Sequence, residues 1–422
     1  MADDNAPPQP NPMAELFASA IFQLTPMNPV YREDPYAVLA DLRAQSPALR
    51  DAAYGSVILT RYNDVRPLVS DLTLWRDPLK GDLNLLQFQR LGGELPEGPR
   101  SETTSILTLD DPDHARIRQP LAQALYARVA KFRPEVERIV QGTLDAIDAS
   151  APFDLMTSFC VPIPIDVIAS ILGVDPTRLA EFREWSEGVI QGLNPFRNEA
   201  QTQAMEAASA ALDDYFTRLI AERKAGPRDD LISDMTRLQA EGLPVNDAEL
   251  RINLTALLVG GNLTTTDLIG NATRLLLLNP AELAKLQADP TLINAVVEEA
   301  LRYDPPVDAT GRVASRNLEA SGCPVKQKES LTLHLRAANR DPEVFDNPDA
   351  FDVTRAKKPH VAFGGGAHIC IGAPLARLEA QVALLRLFER FPRLRFADPQ
   401  APPAWRMLPF FKGLERLELR AD

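Results

Sequence analysis

The sequence predicts a mainly α-helical fold that carries small β-sheets. Through most of the 422 residues, apolar side chains recur at intervals of three and four, which is the spacing of amphipathic helices. Three short segments instead predict strands, near Ser56 to Thr60, Ser330 to Leu335 and Leu414 to Leu419. The length alone allows one large domain or two to three average ones, and no internal repeat divides the chain.

Composition and charge bound the class of protein. Hydrophobic residues make up 45% and charged residues 24%, as in a soluble globular protein with a sizeable core. The formal net charge of −13 argues against general nucleic-acid binding and against attraction to anionic membranes. No signal peptide or membrane span is indicated, and three cysteines supply no disulfide framework, so we expect a cytoplasmic protein.

Two loops and one long helix stand out along the chain. Arg76 to Ser105 is rich in glycine, proline and charge without periodicity, which is typical of a lid or binding loop. Gly192 to Arg197 separates a helix that ends near Ile190 from one that starts near Glu199, and this pattern suggests a movable flap. The longest helix is predicted from about Asp247 to Leu278 and is apolar on most faces.

Near the C-terminus, one cysteine follows a glycine-rich loop. The loop runs from Phe363 through three glycines and His368 to Cys370 and Gly372. Consecutive glycines let the backbone approach a flat macrocycle and turn its amides toward one sulfur. The next residues predict a helix with Pro374 in its first turn, so the sulfur should lie at a positive helix end and its pKa should fall. This arrangement suits a thiolate that binds haem iron.

Other interpretations of Cys370 fit less well. An isolated cysteine is usually a buried structural thiol, but the surrounding loop supplies several suitable features at once. No second cysteine or group of histidines completes a zinc site, and no C-x-x-C-H motif indicates covalent haem attachment. Cys160 and Cys323 have no chemical neighbours in the sequence and are expected to be packing residues.

A succession of motifs precedes the cysteine loop. Glu299 and Arg302 are three residues apart on a predicted helix and can pair, which alone predicts only a surface ion pair. An Asn-Arg-Asp-Pro segment at residues 339–342 and then Arg355 follow. In this order the motifs resemble the cytochrome P-450 family, and the resemblance extends from about Asn28 to the C-terminus. It implies that Glu299, Arg302 and Arg355 form a buried charged triad that ties the cysteine-side loop to the core.

The resemblance implies a single cytochrome P-450 domain over residues 28–422, preceded by a flexible arm over residues 1–27. The fold would have a long central distal helix and a proximal cysteine loop. The cofactor would be haem b, with its iron bound by the Cys370 thiolate. The remaining residues that the resemblance assigns to the haem or its propionates are His114, Arg118, Arg312, Phe363, His368 and Gly372.

By the same resemblance, the long helix is the distal wall of the haem pocket. Gly260 and Gly261 each cost about 1 kcal/mol relative to alanine inside a helix, so they indicate either room for dioxygen or a close helix–helix contact. Thr264 follows one turn later, where its hydroxyl can bond the freed carbonyl or bound oxygen. The family has an acid directly before this threonine, whereas this chain has Leu263. Asp267 is the only acid within a turn and is predicted either to relay protons or to be solvated or capping.

The resemblance also locates a substrate pocket and a partner surface. The pocket is mostly apolar and predicts a small hydrophobic substrate, although Asp308 could meet a hydroxyl or amine, or face solvent. Four basic residues in and just after one helix, Arg116, Arg128, Lys131 and Arg133, predict docking of an acidic ferredoxin on the cysteine side. The predicted pocket residues are Phe88, Phe196, Leu257, Asp308, Ala309, Phe410 and Phe411.

We therefore expect a monomeric, haem-dependent monooxygenase. The resemblance implies that two electrons from NAD(P)H arrive through a reductase and a ferredoxin, that one atom of O₂ enters a small, largely hydrophobic substrate, and that the other leaves as water. Because Leu263 replaces the acid, a peroxide-using or otherwise specialised haem-thiolate enzyme is the rival function. A non-catalytic haem sensor or carrier is a third interpretation, but no output domain or DNA-binding motif accompanies the haem motifs.

Overall fold

Helices form most of the regular structure in the computed structural model, which describes residues 18–82, 84–85, 97–356 and 358–421. The α-helices are α1 Ala20–Gln23, α2 Pro29–Glu33, α3 Pro35–Gln45, α4 Tyr62–Ser70, α5 Asp113–Val129, α6 Arg133–Asp145, α7 Pro162–Leu172, α8 Leu179–Val189, α9 Glu199–Ala225, α10 Leu231–Ala240, α11 Asp247–Leu278, α12 Pro280–Ala288, α13 Ile293–Tyr303, α14 Leu335–Ala338 and α15 Ala373–Arg390. The β-strands are β1 Ala48–Asp51, β2 Ser56–Leu59, β3 Phe153–Asp154, β4 Ala309–Val313, β5 Leu318–Ala320, β6 Cys323–Val325, β7 Ser330–His334, β8 Arg395–Phe396, β9 Ala404–Trp405, β10 Leu414–Arg416 and β11 Glu418–Arg420.

The largest sheet within the described part of the chain has four strands in the order β1-β2-β7-β4. Strands β2 and β7, both predicted, pair in parallel, and the outer pairs are antiparallel. The predicted strand from Leu414 to Leu419 is instead two strands, β10 and β11, which join different sheets. The break falls at Leu417, because its N–H donates to the Asp154 carboxylate at 2.8 Å and its carbonyl accepts from Leu155 at 2.9 Å.

The long helix α11 crosses the core with the bounds that the sequence predicts. It begins with a capping box in which Asn246 and Glu249 exchange side-chain and backbone hydrogen bonds. Polar side chains on its buried face find partners on a neighbouring helix: Arg183 of α8 donates to Asn262 Oδ1 at 2.9 Å and to Thr266 Oγ1 at 3.2 Å. These bonds offset the cost of burying polar groups inside the protein.

The predicted flap and the start of the folded chain pack against each other. Helix α8 continues as a 3-10 turn over Ile190–Leu193, and α9 begins at Glu199, so the flap is a short loop between two helices. The folded part of the chain begins before the predicted boundary at residue 28, because Ile21 and Leu24 are already buried. The physical reason is that Ser19 caps α1 and its apolar residues pack against the flap and β2.

Candidate active site

The cysteine loop depends on backbone shapes that glycine permits. Gly364 and Gly366 have φ angles of 69° and 64°, in the left-handed region. A side chain at Gly366 would also collide with the backbone of Ser70 at the end of α4. The N–H of Cys370 donates to the carbonyl of Phe363 at 2.9 Å, which closes the loop just before α15. The loop therefore fixes Cys370 at the start of that helix.

The protein groups around the sulfur do not lower the pKa of the Cys370 thiol. Desolvation by the surrounding protein raises this pKa and outweighs the amides of Gly372 and Ala373 and the charges of Arg118 and Arg377, which all favour the thiolate. The predicted fall in the pKa is therefore wrong for the protein alone. Bound iron would add the missing stabilisation, since a coordinated thiol is deprotonated.

Basic side chains converge beside the cysteine loop. The rings of His114 and His368 lie with centroids 4.0 Å apart and planes inclined by 31°. Burial, together with repulsion from His114, Arg76, Arg312 and Arg118, lowers the pKa of His368 to about 2. Four residues predicted from separate motifs, on α5, on β4 and in the cysteine loop, are thus brought together, and Arg76 joins them.

This group of five basic residues, the basic cluster, is suited to anions. Burial lowers the pKa of Arg76 to about 9 and that of Arg312 to about 10, and Asp110 offsets only part of the effect. His114 Nε2 and Arg76 Nε are buried without a hydrogen-bond partner. A cavity of about 150 Å³ beside His114, Arg312 and His368 provides space. Two carboxylates would satisfy these donors and relieve the repulsion, and haem carries two propionates, so the residues present fit the group.

Arg76 was not found from the sequence. It begins the predicted lid loop, where neither periodicity nor a motif distinguishes it from other charged residues. The structure fixes it through its surroundings: its N–H donates to Asp110 Oδ1 at 2.6 Å and its Nη1 donates to the carbonyl of Gly311 at 2.7 Å. Pairing of Trp75 with Val313 holds this segment against β4. Pairing of the neighbouring Trp75 with β4, which the sequence does not show, brings Arg76 to the cluster.

The predicted charged triad is assembled, with Glu299 and Arg302 buried and Arg355 partly exposed. Arg302 donates two hydrogen bonds to Glu299, at 2.7 and 2.8 Å, and Arg355 Nε lies 3.1 Å from the same carboxylate. Arg302 also donates to the carbonyls of Asn339 and Pro348, so all three nitrogens of its guanidinium form hydrogen bonds. These bonds connect α13 to the segment that leads into the cysteine loop.

The two glycines of α11 have different surroundings. A Cβ atom at Gly261 would lie 3.1 Å from Ile168 of α7, so this glycine serves a close helix–helix contact. At Gly260 a Cβ atom would meet nothing within 4 Å, and the residue is exposed to open space. Thr264 donates its hydroxyl hydrogen to the carbonyl of Gly260 at 2.9 Å. The close helix–helix contact is therefore seen at Gly261, while room for dioxygen at Gly260 stays a prediction.

Within the described residues, no hydrogen bond joins the carboxylate of Asp267 to the Thr264 hydroxyl. Asp267 is fully buried, and its Oδ2 accepts from Arg406 Nη2 at 2.5 Å. Burial raises the pKa of this carboxyl group, and Arg406 and Arg183 act against the shift. A side chain at Gly413 would overlap the Asp267 carboxylate. The connection between β9 and β10, which contains Gly413, therefore packs directly against this carboxylate. A solvated role is excluded by this burial.

Comparison with known proteins decides the family. A family profile described as Cytochrome P450 matches residues 96–405. Cytochrome P450 107B1 of Saccharopolyspora erythraea is 39% identical over 370 residues, which cover 86% of this chain and 88% of the relative. The chain belongs to the cytochrome P450 family. It is therefore an oxygenating oxidoreductase of the haem-thiolate type, as predicted.

Further relatives agree with this assignment. The 6-deoxyerythronolide B hydroxylase of Saccharopolyspora erythraea is 36% identical over 400 residues, which cover 93% of this P450 and 97% of the relative. Among solved structures, P450BioI in complex with an acyl carrier protein that carries hexadec-9Z-enoic acid superposes with a TM-score of 0.84 at 31% identity, covering 93% of this chain and all of the other. The predicted fold is thus confirmed. Within the described residues, no helix is long and apolar enough to cross a membrane.

The predicted pocket residues of this P450 occupy different environments. Phe88 lies outside the described residues. Asp308 neither faces solvent nor is free for a substrate, because its carboxylate pairs with Arg336 at 2.6 Å and accepts from the hydroxyl of Tyr31 at 3.2 Å. The other members are apolar: Phe196, Leu257 and Phe411 are buried, while Ala309 and Phe410 are partly accessible.

Two of the four residues in the predicted basic docking cluster are paired within the protein. Arg116 pairs with Glu249 at 2.6 Å and with Asp113 at 2.7 Å, and Arg128 pairs with two acids at 2.6 and 3.0 Å. Both arginines therefore tie α5 to the elements packed against it, and acids within the protein offset their charges. Docking of a ferredoxin on this group of basic residues stays a prediction. The sequence could not show the pairs with Glu249, Asp234 and Asp229, because these acids lie more than 100 residues away from their arginines.

Proposed function

We propose that this P450 binds haem b through Cys370 and inserts one atom of O₂ into a small, largely hydrophobic molecule. The observation that carries the proposal is the basic cluster beside the cysteine loop, which offers the buried, unpaired nitrogens His114 Nε2 and Arg76 Nε and a surplus of positive charge to two propionates. The haem, when bound, supplies the oxygen-activating redox chemistry. His114, Arg118, Arg312, His368 and Arg76 would hold its propionates, while Phe363 and Gly372 border the cysteine.

Residues of the distal helix would manage protons. The reaction RH + O₂ + 2e⁻ + 2H⁺ → ROH + H₂O consumes two protons, which must reach a site that excludes bulk water. The Thr264 hydroxyl, bonded to the Gly260 carbonyl, can also accept from a water molecule and so hold it beside the open space at Gly260. Asp267 is committed to Arg406, so we infer that water held by Thr264 delivers the protons and that Asp267 supports the helix.

Electrons would come from NAD(P)H through a reductase and a ferredoxin. Beside the cysteine, Ile369 is 46% exposed, and its carbonyl accepts a hydrogen bond from Arg118. Tyr126, which lies near Arg118, is 39% exposed. We propose that the ferredoxin contacts these apolar side chains, so that its docking depends only weakly on salt.

An apolar pocket supports a hydrophobic substrate. With Asp308 saturated by Arg336 and Tyr31, the remaining described pocket residues offer phenylalanine, leucine and alanine side chains. Named relatives include pentalenic acid synthase, and a solved neighbour, myxobacterial CYP267B1, was crystallised with myristic acid at 32% identity. These names support a lipid-like molecule as the substrate class.

One observation favours a second function, the use of peroxide instead of O₂ and electrons. Leu263 occupies the position of the family's acid, is 1% exposed and brings no proton donor to the helix. Turnover that requires NAD(P)H, reductase and ferredoxin supports the monooxygenase, whereas full turnover with H₂O₂ alone supports the rival.

The spectrum of the reduced protein with CO tests the haem ligand. A band at the long wavelength typical of thiolate ligation is expected, and Cys370→Ser should abolish it. Cys160→Ala and Cys323→Ala are matched controls, since Cys160 is buried and Cys323 lies on the β5–β6 hairpin. Persistence of the band in Cys370→Ser would show that another residue binds the iron.

A further inference from the structure

Four side chains from separate parts of the chain meet at the cysteine loop. The guanidinium carbon of Arg377, on α15, lies 4.5 Å from the centre of the Phe363 ring. Glu298, on α13, accepts hydrogen bonds from Arg377 Nε at 2.6 Å and from Arg377 Nη2 at 3.1 Å. His360, just before the loop, lies 3.2 Å from the same carboxylate, and its ring centre is 6.1 Å from that of Phe363. We call these four residues the Phe363 cluster.

The hydrogen bonds of His360 show how the Phe363 cluster is held together. The N–H of Ala362 donates to His360 Nδ1 at 3.1 Å, so this nitrogen is an acceptor and the ring hydrogen lies on Nε2. His360 Nε2 therefore donates to Glu298. The carboxylate thus accepts from both His360 and Arg377, and it orients the guanidinium over the Phe363 ring. The electrons of the ring attract the cation, so the stack and the hydrogen bonds favour the same arrangement.

The Phe363 cluster is connected to the sulfur in two ways. The carbonyl of Phe363 accepts from the Cys370 N–H at 2.9 Å, so the ring and the cysteine belong to one hydrogen-bonded loop. Arg377 lies four residues beyond Ala373, the start of α15, which is about 6 Å along the helix axis. Because salt screens charges over about 10 Å at 0.1 M, the charge of Arg377 can act on the sulfur. Arg377 favours the thiolate form of Cys370.

Exposure alone would suggest an ordinary surface ion pair. The side chains of Arg377 and Glu298 are 34% and 43% exposed. Two features distinguish this pair from such a contact. The carboxylate is shared with the nearly buried His360, and the guanidinium stacks on Phe363, which borders the haem in the proposed function. The pair therefore holds one positive charge at a defined place beside the cysteine loop.

A fixed positive charge at this place has a consequence for electron transfer. Reduction of ferric to ferrous iron by one electron from the ferredoxin adds one negative charge to the haem and its thiolate. A nearby positive charge stabilises the reduced form more than the oxidised form. We propose that Arg377, held on the Phe363 ring by Glu298, raises the reduction potential of the haem iron and so favours its reduction. Arg377 is a positioning residue in this role, and the inference rests on the proposed function because it requires haem bound by Cys370.

Redox titration of the haem-loaded protein with small-molecule mediators tests the inference. No ferredoxin is present, so partner docking does not contribute to the result. Arg377→Gln should lower the equilibrium constant for one-electron reduction about threefold to tenfold, which corresponds to a fall in potential of about 30 to 60 mV at 59 mV per tenfold. Arg377→Lys keeps the charge but loses the planar stack and the paired hydrogen bonds to Glu298, so its potential should fall less.

Arg386→Gln is the matched control for the loss of charge. Arg386 is on the same helix and pairs with Glu389 at 2.9 Å, but it lies thirteen residues, about 20 Å, beyond Ala373. Its loss should leave the potential unchanged. Equal potentials in Arg377→Gln and Arg386→Gln would overturn the inference.

The spectrum of each reduced variant with CO separates the possible failures. Arg377→Gln should keep the band typical of thiolate ligation, because the inferred role concerns the potential and not the ligand. Loss of that band in Arg377→Gln would show that the residue only maintains the loop, and would overturn the inference. A thiolate band with an unchanged potential would overturn the inference and leave the proposed function standing. Absence of the band in the unaltered protein would instead contradict the proposed function, and the inference with it.

Discussion

The cysteine side and the distal side of the haem pocket treat their charged residues differently. On the cysteine side, His114, Arg118, Arg312 and His368 converge with donors still unused. On the distal side, the acids that the sequence singled out are already paired with arginines inside the protein. One side is arranged to receive an anionic ligand, and the other has removed its charges from the pocket. The difference teaches that a charged residue near a site serves it only when the fold leaves the charge unpaired.

The largest expected effect concerns the triad that supports the cysteine side. Glu299→Ala leaves Arg302 buried without its carboxylate, which should cost about 3–5 kcal/mol of unfolding free energy and prevent haem incorporation. Glu298→Gln on the same helix is the control, because the side chains of Glu298 and its partner Arg377 are partly exposed and the loss should stay below about 1 kcal/mol. Denaturant unfolding measures both variants. Equal losses would show that the triad is no stronger than a surface pair.

The basic cluster predicts opposite effects with and without haem. Arg76→Ala relieves repulsion within the cluster, so the haem-free protein should be as stable as before or more stable. Removing one charged donor should weaken haem retention by about tenfold or more, measured by transfer of haem to an acceptor protein. Arg66→Ala, on α4 and outside the cluster, is the control. Unchanged haem transfer in Arg76→Ala would show that the cluster binds something other than the propionates.

The distal side should show a smaller effect that separates Thr264 from Asp267. Thr264→Ala should raise the fraction of NAD(P)H lost as H₂O₂ severalfold, because the water-holding hydroxyl is gone. Asp267→Asn should change that fraction less than twofold and instead lower the unfolding free energy by about 1–3 kcal/mol, since it weakens the pair with Arg406. A slower reaction with a solvent isotope effect in Asp267→Asn would mean that this acid relays protons after all.

The smallest expected effect concerns the partner surface. Tyr126→Ala should slow reduction by ferredoxin two- to threefold, and the rate should change little between low and moderate salt. Arg128→Glu should leave that rate within twofold but lower the melting temperature, because it replaces two ion pairs by repulsion from Asp229 and Asp234. Stopped-flow reduction at several salt concentrations measures both. A steep fall in rate with salt would restore the electrostatic docking that the sequence predicted.

The sequence predicted the features of the fold that depend on a local pattern of residues. The bounds of α11, the start of α15 and the helix of Glu299 and Arg302 follow from helical periodicity and capping residues, and the structure confirms them. The family motifs located the basic cluster except for Arg76, which pairing with β4 brings to the site. Long-range partners were out of reach. Asp267 and Arg406 are 139 residues apart, and nothing in the residue types reveals that they pair.

Gly260 and Gly261 differ in the reason why a larger residue would be disfavoured. At Gly261 an added Cβ would lie 3.1 Å from the Ile168 side chain, so close packing favours the glycine. At Gly260 an alanine would fit and would favour the helix by about 1 kcal/mol, yet the chain has not taken this stabilising change. Proteins tend to retain such a cost where activity needs the space. Gly260 is thus a position where directed evolution for heat tolerance and for turnover would pull in opposite directions, whereas Gly261 leaves no such choice.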